Sequence, residues 1–64
     1  MRYPEVEVQL IGEDGNAFAI LGQVTRALRE AAVPADEIES FTAEATAGDY
    51  NHLLATVMDW VEVS

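Results

Sequence analysis

Hydrophobic and polar residues alternate at the start of the chain, between about Tyr3 and Ile11. The apolar positions are Val6, Val8 and Leu10, and the polar positions between them are Glu5, Glu7 and Gln9. A period of two is typical of a strand that has one buried face and one exposed face. The pattern therefore predicts a strand from Tyr3 to Ile11, which ends in a turn at Gly12-Glu13-Asp14-Gly15.

A helical period follows this turn, from Ala17 to about Val33. Apolar residues recur there at intervals of three and four and cover a wide face, so we expect this helix to be central to the core. One stripe of that face is Phe18, Leu21, Thr25, Leu28 and Ala32, and the stripe beside it is Ile20, Val24, Ala27 and Ala31. Asn16 is a favourable N-cap residue for this helix, and Pro34 breaks it.

The second half of the chain predicts two shorter helices and a strand. Pro34 opens a helix from about Ala35 to Ala47, and Gly48 suits the C′ position that follows it. The buried stripe of this helix is thin and consists of Ile38, Phe41 and Ala45. Asp49 then caps a third helix, whose apolar side carries Leu53, Leu54, Val57 and Met58. Residues Trp60 to Ser64 alternate again, which predicts a short strand.

These elements predict one small α+β domain that spans residues 1–64 in the order β-α-α-α-β. The two strands lie at opposite ends of a short chain, so we expect them to pair and the three helices to pack on them. A chain of 64 residues buries only about 60% of the surface that its unfolded form exposes. Domains of this size usually need disulfides, a metal or a partner subunit for stability.

The composition leaves a partner subunit as the expected source of that stability. The chain has no cysteine and one histidine, which excludes disulfides and thiolate metal sites. The same composition argues against a structural zinc site, because such sites draw their ligands from cysteine and histidine. We therefore expect no metal and no cofactor. Half of the residues are hydrophobic, which is a large share for so short a chain. Together these features predict a homo-oligomer.

The net charge of −9, from twelve carboxylates against three cations, narrows the possible partners. Binding to nucleic acid in general or to an anionic membrane depends on basic patches, so neither is expected. The N-terminus has no apolar stretch of the kind that a signal peptide needs, and the longest apolar run, Ala17 to Leu21, is too short to span a bilayer. We expect a soluble cytoplasmic protein.

The junction between the first strand and the first helix is one candidate ligand site. A loop that ends in Gly15 and Asn16 and leads into a helix leaves backbone N–H groups free, and such groups hold anions. The junction is neither a Walker loop nor a dinucleotide fingerprint. A tight turn followed by an N-cap explains the same residues.

The polar side of the first helix is the second candidate. Gly22, Arg26 and Arg29 share one face of it, and with Arg2 these arginines are the only cations of the chain. An arginine presents a planar fork that suits carboxylate and phosphate groups. Three interpretations fit this face: a floor for an anionic ligand, a helix contact in an oligomer, or a solvated surface with Arg26 paired to Glu30.

The start of the third helix is the third candidate, through Tyr50 and His52. Asp49 is explained as a helix cap, and His52 falls with Thr56 and Asp59 on a predicted outward face. The tyrosine ring could stack on a ligand or a partner. Neither serine of the chain lies on a nucleophile elbow, so we expect no catalytic triad and no enzymatic activity.

The strings Gly-Glu-Asp-Gly-Asn-Ala-Phe, Gly-Asp-Tyr-Asn-His-Leu-Leu and Met-Asp-Trp-Val-Glu-Val resemble a group of very short acidic proteins from bacteriophages, mobile elements and bacteria, most of which have no assigned function. The resemblance extends from Val6 to Val63 and brings no catalytic residues with it. Small phage proteins of this kind often act against host defences. The resemblance thus implies a protein of the host cytoplasm that binds a host enzyme or sequesters a nucleotide signal.

We therefore predict a non-enzymatic, oligomeric binding protein that sequesters a small anionic ligand of the nucleotide type, with a phage anti-defence role. One alternative is an acidic inhibitor that imitates nucleic acid and blocks a host protein. The carboxylates that would act in that case are Glu5, Glu7, Asp36, Glu37, Glu39 and Glu44. A structural or regulatory subunit is the other alternative.

Overall fold

In the part of the chain that the structure describes, two strands and three helices follow one another in the predicted β-α-α-α-β order, and the α+β class is confirmed. A computed structural model describes residues 2–10 and 16–64, so the predicted turn at residues 12–15 lies outside the described residues. The elements are β1 (Tyr3–Val8), α1 (Ala17–Glu30), α2 (Ala35–Ala45), α3 (Tyr50–Trp60) and β2 (Val61–Val63).

The two strands pair in parallel and form a two-stranded sheet. Parallel strands need a long crossover connection, and the three helices provide it. Tyr3 lies opposite Val61, whereas Glu7 lies opposite the next residue, Glu62, so the pairing is irregular between Tyr3 and Glu7. Pro4 falls in this irregular stretch, and bulges are one of the places where a sheet tolerates a proline.

The burial of β1 confirms the alternation seen in the sequence. Val6 and Val8 are buried, Leu10 is partly buried, and the polar residues between them are exposed. The strand nevertheless ends at Val8 instead of Ile11, because its partner β2 is only three residues long. The carbonyl oxygen of Val8 accepts the last bond of this pairing, from the Ser64 amide at 3.0 Å.

The core lies between the sheet and the helices and has Trp60 at its centre. The Trp60 ring is 5.4 Å from the Phe41 ring in an edge-on arrangement and 6.0 Å from the Tyr3 ring. Both pairs lie within the 4.5–7 Å range in which aromatic rings attract each other. The buried apolar residues are Val6, Val8, Ile20, Val24, Leu28, Val33, Phe41, Ala45, Leu53, Val57, Trp60 and Val61.

Two large apolar side chains predicted to face the core are exposed. Phe18 is 86% exposed and Met58 is 62% exposed. The buried stripe of α1 is Ile20, Val24 and Leu28. At 100° per residue, Phe18 lies about 120° around the helix from the middle of that stripe. The predicted face of α1 was therefore too wide, and Ala31 and Ala32 are exposed as well.

Helix α1 ends at Glu30, three residues before the predicted end, because the chain turns sharply there. Ala32 has a φ of 63°, in the left-handed region. The Ala32 amide donates to the Arg29 oxygen, and the Val33 amide donates to the Leu28 oxygen, each at 3.0 Å. These two bonds form a Schellman motif. The position of Val33 before Pro34 disfavours further helical backbone and explains the early stop.

The predicted bounds of α2 and β2 also need correction. Helix α2 ends at Ala45 instead of Ala47, with Thr46 as its C-cap, so Gly48 is not its C′ residue and is not left-handed. Trp60 is the last residue of α3, so β2 begins one residue later than predicted. The caps Asn16 and Asp49 are confirmed, since their side chains accept bonds from the first turns of α1 and α3.

The first residue of β1, Tyr3, and the residue before it, Arg2, are held against the core by a small polar cluster. The Tyr3 hydroxyl donates to Glu37 Oε1 at 3.0 Å, and Arg2 Nη1 lies 3.4 Å from the same oxygen. The Arg2 guanidinium carbon is 4.2 Å from the centre of the Trp60 ring, which is a cation–π contact. Arg2, one of the three cations of the chain, therefore helps to stabilise the folded structure.

Replacing Ala32 with glycine should stabilise the protein. The left-handed backbone strains an alanine but not a glycine, and we expect the free energy of unfolding to rise by about 1 kcal/mol. Chemical denaturation measures this directly. The neighbouring change Ala31→Gly is the control, because Ala31 has a φ of −85° and gains nothing from glycine. An Ala32→Gly variant that is no more stable than the wild type would contradict this account of the turn.

The bond between Tyr3 and Glu37 predicts a loss of stability in alkali. Burial raises the pKa of the Tyr3 phenol above 10.0, and the hydrogen bond and negative charge of Glu37 raise this pKa further. The phenol therefore contributes stability below its unfolded pKa of about 10, and that contribution is lost as the pH rises through the higher folded value. Denaturation at a series of pH values should show this decline, and Tyr3→Phe should flatten it.

Candidate functional site

Four residues lie along the exposed side of α1 and form what we call the α1 outer face: Phe18, Gly22, Arg26 and Arg29. They follow one another at intervals of four, four and three residues, which places them on one side of a helix. All four are exposed, and they lie away from the buried stripe of Ile20, Val24 and Leu28. The structure thus confirms that Gly22, Arg26 and Arg29 share a face and adds Phe18 to it.

Gly22 has no structural purpose within one copy of the described chain. It lies in the interior of α1, where glycine costs about 1 kcal/mol relative to alanine. A Cβ atom added at Gly22 would meet nothing within 4 Å, apart from its own helix backbone and its chain neighbours. A methyl group would therefore fit at this position, and no contact among the described residues requires a glycine here.

The two arginines of this face differ in their partners. Arg26 Nε lies 3.3 Å from Glu30 Oε2, which confirms the predicted pair, but the side chains are 77% and 69% exposed. Such a pair contributes only a few tenths of a kcal/mol, so Arg26 can leave it for another anion. Within residues 2–10 and 16–64, no carboxylate lies within 4.0 Å of Arg29.

The α1 outer face is an open surface and not a closed pocket. One shallow depression along it is lined by Gly22, Thr25, Arg26, Arg29 and Glu30. A second, on the other side of Arg26, reaches the end of β1 and includes Glu7, Gln9 and Gln23. The Thr25 hydroxyl already donates to the Leu21 oxygen at 2.8 Å. The arginines are therefore the hydrogen-bond donors that the α1 outer face offers to a ligand.

The start of α1 is largely occupied by its own cap. Asn16 Oδ1 accepts from the amides of Phe18 and Ala19, at 3.0 and 3.2 Å, and the Asn16 carbonyl accepts from Ile20. An anion at this helix start would have to displace the Asn16 side chain. Gly15, the other residue predicted for this site, lies outside the described residues.

His52 connects the start of α3 to the end of α2. Its Nε2 lies 2.8 Å from the carbonyl oxygen of Glu44, in the last turn of α2. Its ring also lies against Gly48, where an added Cβ would come within 2.8 Å of His52 Cβ and Cγ. Thr56 was predicted to share an outward face with His52, but Thr56 is buried. This geometry favours a structural use of the imidazole.

Tyr50 lies beside Phe18, at the opposite end of α1 from the arginines. The two rings border an apolar groove between α1 and α3, with Ala17, Leu21 and Leu53 also in its lining. The rise of 1.5 Å per residue puts Asn16 and Arg29 roughly 20 Å apart along α1. The predicted site residues thus form two groups in one copy of the chain, with Gly22, Arg26 and Arg29 in one and Asn16, Tyr50 and His52 in the other.

Most carboxylates of the predicted acidic alternative are exposed. Glu37 is the exception, because it is partly buried and bonded to Arg2 and Tyr3. Glu7 lies directly opposite Glu62, an unfavourable pair of like charges that the sequence pattern did not reveal. Within the described ranges, no group of three or more carboxylate or histidine side chains is arranged to hold a metal ion.

Comparison of the chain with protein-family models, with curated proteins and with solved structures finds no match. The resemblance to short phage and bacterial proteins therefore stays a prediction. Across residues 2–10 and 16–64, no helix has both the length and the apolar character needed to cross a membrane.

Two exposed glycines should respond in opposite ways to replacement by alanine. Gly48→Ala should lower the free energy of unfolding by about 1–3 kcal/mol, because the added methyl group collides with the root of the His52 side chain. Gly22→Ala is the matched control and should raise it by about 0.5–1 kcal/mol, since the site is open. Denaturation of dilute protein measures both. Equal effects of the two substitutions would contradict the described role of His52.

Proposed function

We propose that this protein is a non-enzymatic, homo-oligomeric binding protein that captures a small anionic ligand of the nucleotide type on the α1 outer face. The observation that carries the proposal is the exposure of Arg26 and Arg29 on one side of α1, where both line a shallow depression. Arg29 has no ion-pair partner among the described residues, and the partner of Arg26 is weakly held. Both guanidinium groups are therefore available to phosphate.

The charge distribution favours a small anion over a polyanion. A nucleic acid strand would lie across many of the twelve carboxylates of the chain, which repel it. A ligand of a few phosphates can be confined to the α1 outer face, and charges farther than about 8 Å are largely screened at physiological salt. Two exposed arginines within an acidic surface would thus bind a small anion and not a polyanion.

Phe18 supports a ligand that carries a ring as well as phosphate. Its side chain is 86% exposed and lies on the same side of α1 as both arginines. Base stacking on an aromatic side chain contributes about 1–3 kcal/mol, and arginine forks form paired bonds to phosphate. A nucleotide offers both groups in one molecule.

Binding without catalysis is supported by the position of the only imidazole. His52 is bonded to the main chain of α2, at the end of the molecule away from Arg26 and Arg29. A general base would have to lie within hydrogen-bond reach of the reacting group. In the setting implied by the sequence resemblance, capture of a nucleotide signal would act against a host defence.

A panel of nucleotides tests this proposal through the melting temperature. Mononucleotides, cyclic dinucleotides and ADP-ribose are each added to the purified protein, and at least one should raise the melting temperature. A ligand at one hundred times its Kd stabilises the folded state by about 2.7 kcal/mol, which raises the melting temperature of a domain of this size by roughly 10–20 °C. Arg26→Gln and Arg29→Gln should each weaken binding about tenfold or more.

The control for these variants is Ala55→Glu, which makes the same change in net charge at an exposed position on α3. It should leave the ligand response intact if the local arginines matter, and reduce it if only overall charge matters. A melting temperature that no member of the panel shifts would contradict the proposed function.

A further inference from the structure

The α1 outer face is nearly symmetric about Gly22. Phe18 lies four residues before Gly22 and Arg26 lies four residues after it, so each is about one helical turn away on the same side. Phe18 offers an exposed aromatic ring, and Arg26 offers an exposed guanidinium. An aromatic ring and a guanidinium attract each other through a cation–π contact.

We infer that two copies of this chain pair through the α1 outer face, with the two α1 helices antiparallel and crossing at Gly22. In this arrangement Phe18 of each copy packs against Arg26 of the other, and Gly22 meets Gly22. A twofold interface requires such reciprocity, because each residue that contacts a second residue is also contacted by that second residue. The equal spacing on either side of Gly22 meets this requirement.

Gly22 favours pairing with a second copy, because a glycine allows two helix backbones to come close. A glycine inside a helix lowers helix stability, and one copy of the described chain makes no use of this one. At a crossing of two helices, the missing side chain removes the atoms that would hold the backbones apart. The pairing thus gives Gly22 the purpose that the single copy lacks.

Charge also favours the α1 outer face for self-association. Each copy carries a net charge of −9, so most approaches of two copies bring carboxylates together. Arg2 already contacts Trp60 and Glu37, whereas Arg26 is held only by an exposed pair and Arg29 has no ion-pair partner among the described residues. In the antiparallel pair, Arg26 faces an aromatic ring and not a second arginine.

The surface area is sufficient for a small dimer. The chain exposes 4012 Å², and a standard interface of about 800 Å² per partner would cover roughly a fifth of it. Helix α1 is about 21 Å long, and the apolar groove beside Phe18 and Tyr50 adjoins its outer face. Phe18 and Tyr50 provide the aromatic surface that interfaces favour.

The pairing would also assemble the divided ligand site. Antiparallel α1 helices place Arg26 and Arg29 of one copy beside Phe18 and Tyr50 of the other, at both ends of the pair. Each site is then incomplete without the second copy. This step depends on the proposed function, whereas the pairing itself does not.

A cysteine placed at the crossing tests the pairing, because the chain contains no cysteine of its own. Helix axes 8–10 Å apart bring facing Cα atoms to within about 4–6 Å, which a disulfide can span. Under mild oxidation, Gly22→Cys should form a covalent dimer at least tenfold faster than Ala55→Cys, which is exposed on α3. Equal rates for the two variants would overturn the inference.

A second variant, Gly22→Gln, separates the pairing from the proposed function. Gly22 is exposed and an added Cβ meets nothing there, so the variant should stay folded. It should appear as a monomer in native mass spectrometry, where the wild type is a dimer. A dimeric Gly22→Gln variant overturns the inference. A wild-type dimer that binds no nucleotide supports the pairing and contradicts only the proposed function. Nucleotide bound with full affinity by the monomeric variant overturns the shared site.

Discussion

The burial of Trp60 connects the two ends of the chain to the helices between them. This residue ends α3 and directly precedes β2, so packing its ring against Phe41 fixes α3 on α2. The other contacts of the ring are with Tyr3 and Arg2, which hold the start of β1 beside β2. A two-stranded sheet with three residues in one strand has little stability of its own. The sheet therefore depends on a single aromatic residue that contacts α2 and the start of β1.

At three places the sequence carries residues that make the folded state less stable than other residues would. Ala32 adopts a backbone conformation suited to glycine, Glu7 lies opposite Glu62, and Gly22 interrupts the interior of α1. A small domain has a low free energy of unfolding, so each of these features is a significant fraction of it. The glycine at position 22 is explained by the proposed contact with a second copy. Nothing in the described structure explains the choice of alanine at position 32 or of glutamate at position 62.

The order of the elements could be predicted from the sequence because their signals are local. The period-two pattern of β1 and the caps Asn16 and Asp49 depend on neighbouring residues only, and all three were found. The exposure of Phe18 could not be predicted, because it depends on which side of α1 meets the sheet. The use of His52 also required the structure, since its partner Glu44 lies in another helix. The spacing of Phe18, Gly22 and Arg26 was visible beforehand, but the expected burial of Phe18 concealed it.

The parallel pairing of β1 and β2 has a consequence for the kinetics of folding. Its register joins residues 3 and 61, so the sheet cannot form until almost the whole described chain has been brought together. Closing so long a loop is slow, because the entropy is lost before the contacts are made. The helices, whose hydrogen bonds are local, can form and dissolve many times beforehand. We expect the rate-limiting step to be the meeting of the two strands, and the amides of β1 and β2 to become protected from hydrogen exchange last.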